Sequence, residues 1–96
     1  MWLERAGNER LRERRSGQGM AQRPKRVSGR QLVRVLERLG WQVDRIRGSH
    51  HIMRHPELPR TTLAVPVHGS QTLPVGTLTS ILKDAQVDAD QFNELV

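Results

Sequence analysis

The chain has 96 residues, 35% of them apolar, which is enough for one modest core, so any site it carries must be shallow. The absence of cysteine excludes a disulfide scaffold and a thiolate metal site, and no apolar run reaches membrane-spanning length. The formal charge is +6, but it is unevenly placed: residues 1–30 carry nine Lys and Arg against three Glu, whereas residues 31–96 carry seven charges of each sign.

Residues 1–27 read as a basic, flexible arm, because Gly7, Gly17, Gly19, Pro24 and closely spaced arginines leave little apolar surface to bury. Leu3 and Leu11 suggest a short helix, and Met20 offers an alternative start. The first twenty residues lack the continuous apolar centre of a signal peptide, so a soluble cytoplasmic protein is expected.

The folded domain is expected over residues 28–96. Ser28-Gly-Arg-Gln31 has the form of a capping box, in which the serine hydroxyl and the glutamine side chain satisfy free backbone N–H groups. Leu32, Val35, Leu36 and Leu39 then recur at i, i+3, i+4 and i+7 as one apolar stripe, and Gly40 supplies the left-handed residue that ends the helix. Three extended segments follow, at 41–47, 51–55 and 61–67, separated by turns at Gly48-Ser49 and at 56–60. After a loop at 68–72, Pro74 suits a first helical turn, and Leu78, Ile81, Leu82 and Ala85 repeat the helical stripe. Asp88 with Gln91 caps a last short helix carrying Phe92 and Leu95. The expected class is α+β, ordered α-β-β-β-α with a short terminal helix. Two amphipathic helices must share one face of a three-stranded antiparallel sheet, which leaves the other face open.

The segment RIRGSHHIMRHP, residues 45–56, holds three of the four histidines and three arginines. Alternation along strands separates the histidines. If His55 opposes Thr61, then Met53 opposes Leu63 and His51 opposes Val65, an apolar set that faces the helices. A three-residue loop of Gly48, Ser49 and His50 would then set Arg47 against His51 and Val43 against His55. His50 would lie at the loop tip, outside the core and near His68. A histidine beside a Gly-Ser hinge, with Arg45, Arg47 and Arg54 close by, can move a proton near a bound phosphate; the bland alternative is a solvated loop residue. His51 reads as half-buried and structural, His55 as a turn residue, and His68 as either a second acid or base or a loop end. No metal is expected, since His50 and His51 point in opposite directions and no carboxylate or cysteine completes a set. Ser49 lacks a nucleophile elbow.

SGRQLVRVLERLGW, RGSHHIMRHP and LAVPVHGSQTLPVGTLTSILKDA in this order closely resemble the HicA, or YcfA-like, family, the toxins of type II toxin–antitoxin modules, over residues 28–87. The resemblance implies a fold like a double-stranded-RNA-binding domain and an mRNA interferase that cleaves messenger RNA without a metal or other cofactor. The family's catalytic histidine falls on His50. Beside it, His68 is the candidate partner, and Arg45, Arg47, Ser49 and Arg54 are the candidate RNA-binding residues. A HicB-like antitoxin is the implied protein partner, with no membrane association and no DNA binding by this chain alone. The arm should then add non-specific RNA affinity through counterion release. Three features depart from the family: the arm itself, His51 beside His50, and Gln86, which stands where a glycine usually follows the second helix and should change how that helix ends. The competing reading is a non-catalytic RNA-binding module of the same fold.

Overall fold

The computed structural model describes residues 23–96; the suggested helix around Leu3 and Leu11 and the start at Met20 lie outside the described residues. Its elements are α1 (Gly29–Arg38), β1 (Gln42–Arg47), β2 (His50–Arg54), β3 (Thr62–Pro66), α2 (Val75–Asp84) and α3 (Ala89–Leu95). The three strands form one antiparallel sheet in the order β1-β2-β3, giving the expected α+β architecture.

Local chemistry sets the helix ends. At the start of α1 the capping box is complete: the Gln31 N–H donates to Ser28 Oγ at 3.2 Å, and the Ser28 N–H donates to Gln31 Oε1 at 2.8 Å. At its end Gly40, with φ +100°, turns the chain so that the Gly40 N–H reaches the Glu37 carbonyl and the Trp41 N–H reaches that of Leu36. That is a Schellman motif, closed by contact between the apolar residues that flank it. The end of α2 repeats it residue for residue. Gln86 N–H bonds the Lys83 carbonyl and Val87 N–H that of Leu82, with Gln86 held at φ +62°. The substitution of Gln86 for glycine therefore leaves the helix end unchanged and shows up as backbone strain instead. Gln86→Gly should raise stability by about 1 kcal/mol, read as a higher denaturant midpoint at unchanged slope.

Pro74 is the N-cap of α2 rather than its first helical residue. Asp88 caps α3 as expected, accepting from the Gln91 N–H at 2.8 Å. A seven-residue helix cannot stand alone; α3 is held by Phe92, whose complete burial contributes about 2–3 kcal/mol.

Leu32, Leu36, Leu78, Ile81 and Leu82 from the two long helices meet Met53, Leu63 and Val65 from the sheet in one core. Val27 belongs to it at 2% exposure, and Leu73 N–H donates to its carbonyl at 2.8 Å. Asn93 of α3 holds the preceding residues, accepting from Lys25 N–H at 2.8 Å and donating to the Arg23 carbonyl at 2.9 Å. Residues 23–27, grouped with the arm on composition, thus lie along the fold.

The sheet register differs from the expected one on one side. Met53 opposes Leu63 and His51 opposes Val65, as the apolar parity requires. Between β1 and β2, however, the turn contains only Gly48 and Ser49, so Arg47 opposes His50 rather than His51, and His50 is the first residue of β2, not a loop tip. Val43 correspondingly opposes Met53, not His55. Positive φ at Gly48 alone suits a two-residue hairpin turn with glycine first. The extra residue sits instead in a bulge at Asp44, between the paired positions Val43 and Arg45. That bulge keeps Trp41 buried and Val43 against the core while reversing the parity of everything after it.

Candidate active site

The reversed parity decides what surrounds His50. Met53 is fully buried, so His51 points toward the helices, and His50, Ile52 and Arg54 point to the open face. Arg45 and Arg47 oppose Ile52 and His50, and so project from that same face. With a three-residue loop they would have projected toward the helices. Among the described residues Arg45 and Arg47 meet no carboxylate, whereas Arg54 Nε lies 3.3 Å from Asp44 Oδ2 in the bulge. That pair is half exposed and worth little to stability, but it engages Arg54.

His50 also stands at the end of the sheet, between Arg47 and Pro66 of the neighbouring strands. There it helps to line a cleft of about 430 Å³ whose walls include His68, Gln71, Thr72 and Thr77. Two backbone contacts fix the cleft. Val67 N–H donates to the Ser49 carbonyl at 2.7 Å, and Gln71 N–H to the His68 carbonyl at 3.0 Å, folding the 68–71 turn beside the first hairpin. Ser49 Oγ then lies 3.3 Å from His68 Nε2, within hydrogen-bond reach. The structure therefore brings His50 and His68 to one cleft, with Ser49 reaching it only through His68, and sets Arg45 and Arg47 on the adjoining face; Arg54 shares the face but is paired.

The other two histidines are accounted for by the fold. His51 is half buried opposite Ile46 and Val65, with a buried Nδ1 that has no hydrogen-bond partner. His55 is more than a turn residue. Its Nδ1 accepts the Glu57 N–H at 3.0 Å, so Nε2 carries the proton and donates to the Leu39 carbonyl at 3.0 Å, at the end of α1. Its ring also meets Trp41 edge to face, with centroids 5.2 Å apart.

Thr72 and Thr77 are cleft residues that sequence reasoning had not singled out. Both lie in LAVPVHGSQTLPVGTLTSILKDA, one of the segments that carry the family resemblance, but nothing in their local sequence marks them as cleft residues. Among the described residues no three His, Asp or Glu side chains gather as a metal-ligand set, and no helix is long and apolar enough to cross a membrane.

The sequence model of one family, described as the HicA toxin of bacterial toxin–antitoxin systems, matches residues 29–87, more than half of the chain. The chain belongs to the HicA toxin family. The match runs from the first residue of α1 to Val87, which closes the second Schellman motif, and it contains every side chain of the cleft. The HicA segment thus coincides with the part of the fold that builds the cleft, while α3 and residues 23–28 lie outside it. As the toxin of a toxin–antitoxin pair, the protein has a cognate antitoxin as its partner. Among curated proteins, none matches the chain.

Proposed function

We propose that this HicA toxin is a metal-independent endoribonuclease, an mRNA interferase acting in the cytoplasm. The observation that carries this reading is the convergence of two imidazoles, His50 and His68, on one exposed cleft, with two arginines on the adjoining face that meet no carboxylate among the described residues. In the proposed reaction the substrate's own 2′-hydroxyl attacks the adjacent phosphorus. The new O2′–P bond forms as the P–O5′ bond breaks, leaving a 2′,3′-cyclic phosphate and a 5′-hydroxyl. One imidazole takes the 2′ proton and the other supplies a proton to the departing oxygen, with His50 as the principal acid–base group and His68 as its partner. Ser49 serves by fixing the His68 ring. Arg45 and Arg47 hold the phosphate and offset the charge that builds on it. Arg54 contributes less, since Asp44 competes for its guanidinium.

The antitoxin, HicB-like on the family resemblance, inhibits by covering the open face around His50. A site this shallow has no internal lid, so a partner must close it, and complementary charge on Arg45 and Arg47 speeds the encounter.

The test of the activity uses the purified chain with a single-stranded RNA in excess chelator. Shortening of the RNA to fragments with 5′-hydroxyl ends, with the DNA of the same sequence left whole, is the expected result. RNA that is bound and not shortened would replace this reading with that of a non-catalytic RNA-binding module.

A further inference from the structure

A second groove, of about 500 Å³, runs along the free edge of β3. Thr62 and Ala64 form one wall, and Gly76, Thr77, Ser80 and Asp84 of α2 form the other. Which backbone groups face it follows from the register. The Val67 N–H bonds Ser49 ahead of β2, so Val67, Val65 and Leu63 direct their backbone groups toward β2. Thr62, Ala64 and Pro66, between them in sequence, direct theirs outward. The Pro66 carbonyl is taken up against Gly29 of α1. The N–H and C=O groups of Thr62 and Ala64 remain, and among the described residues nothing bonds them.

We propose that this groove receives an extended strand of the cognate antitoxin, which adds to β3 as a fourth strand of the sheet. Four observations favour that occupant. Alternating donors and acceptors at strand spacing are what another extended polypeptide matches. The helix wall is kept low by small residues; a Cβ at Gly76 would meet nothing within 4 Å. The lining holds no cation and ends in the Asp84 carboxylate, so a polyanion is disfavoured and a basic side chain on the incoming strand is favoured. Finally, Thr77 lines both this groove and the His50 cleft, so a strand seated here anchors the antitoxin beside the site it must close. The opposite sheet edge, β1, carries a bulge, Asp44, Arg45 and Arg47, features that discourage pairing.

This inference deepens the antitoxin reading above and rests on it only in requiring that partner. The test is amide exchange on the full chain, alone and co-purified with the antitoxin encoded beside it. Thr62 and Ala64 amides should exchange freely in the isolated chain and become protected in the complex. Ala64→Pro removes one edge donor and leaves the β2–β3 ladder intact, and Gly76→Leu fills the groove from the other side. Each should weaken antitoxin binding about tenfold or more while RNA cleavage stays at the parent rate. Protection at residues 45–54 without protection at 62 and 64 would support occlusion of the open face and overturn strand addition. Protection at 62 and 64 alone would do the reverse. If those amides are already protected in the isolated chain, the groove holds another occupant and the proposal fails. Dependence on protein concentration would then identify a second copy, and loss on deleting residues 1–22 would identify the chain's own N-terminal segment. Protection in the complex alongside parent-like antitoxin affinity in both variants would also overturn it.

Discussion

Replacing His50 with alanine is expected to lower RNA cleavage by about a hundred- to ten-thousand-fold, the range over which a positioned acid–base group acts, while the fold survives. The imidazole is exposed at the start of β2 and packs against nothing in the core, so the stability change should stay within about 0.5 kcal/mol. His51→Ala should show the opposite pattern. That side chain lies half buried on the helix side of the sheet, and truncation should cost about 1 kcal/mol, a loss reduced because its Nδ1 is buried without a partner. Cleavage by the His51 variant should remain within a few-fold of the parent at a temperature where both are folded. His68→Ala should fall between, losing cleavage while RNA affinity holds, because Arg45 and Arg47 are untouched. A fluorescent RNA assay with a parallel thermal melt of each variant reads both quantities. If the larger melting loss came at position 50, or if the His50 variant cut RNA at the parent rate, the separation of the two neighbouring histidines by strand face would be wrong.

That separation was legible in the sequence because burial specifies parity on β2 and β3. Met53, Leu63 and Val65 can be paired in only one register without exposing the apolar set. On β1 the same signal is absent. Five of its six residues are exposed, both long helices make their most extensive sheet contacts with β3, and even Ile46 is 58% exposed. Nothing apolar penalises a one-residue shift there. The turn decides the register instead, and Gly-Ser with glycine first was a readable signal for a two-residue hairpin. The bulge at Asp44 was not readable, so neither was the Arg54–Asp44 pair that depends on it. The long-range roles of His55 and Asn93 were equally hidden. Each bonds backbone groups brought near only by the completed fold: the end of α1 for His55, residues 23–25 for Asn93.

A glycine-to-alanine exchange is expected to have opposite effects at two helix starts. Gly29 opens α1, and its φ is ordinary, so conformational freedom does not explain it. Space does. A Cβ built there would lie 1.9 Å from the Pro66 carbonyl oxygen, 2.9 Å from its carbon and 3.1 Å from Val67 Cα. All three are backbone atoms, so no side-chain rotation relieves the clash; either α1 moves away from β3 or the end of β3 bends. The first route opens the packing of Leu32 and Leu36 and the bridge between Ser28 and Thr72. The second displaces Pro66, which pairs with His50 and lines the cleft. Gly29→Ala should therefore cost about 3 kcal/mol, lower the melting temperature by roughly 10 °C or more, and depress cleavage even where the protein remains folded. Gly76, one residue into α2, has open space where its Cβ would be, so Gly76→Ala should gain about 0.5–1 kcal/mol from the smaller entropy of the unfolded chain. Paired thermal melts of the two variants decide the matter. A Gly29→Ala protein that melts with the parent would mean that α1 does not approach β3 this closely, and the backing of Pro66 in the His50 cleft would have to be redrawn.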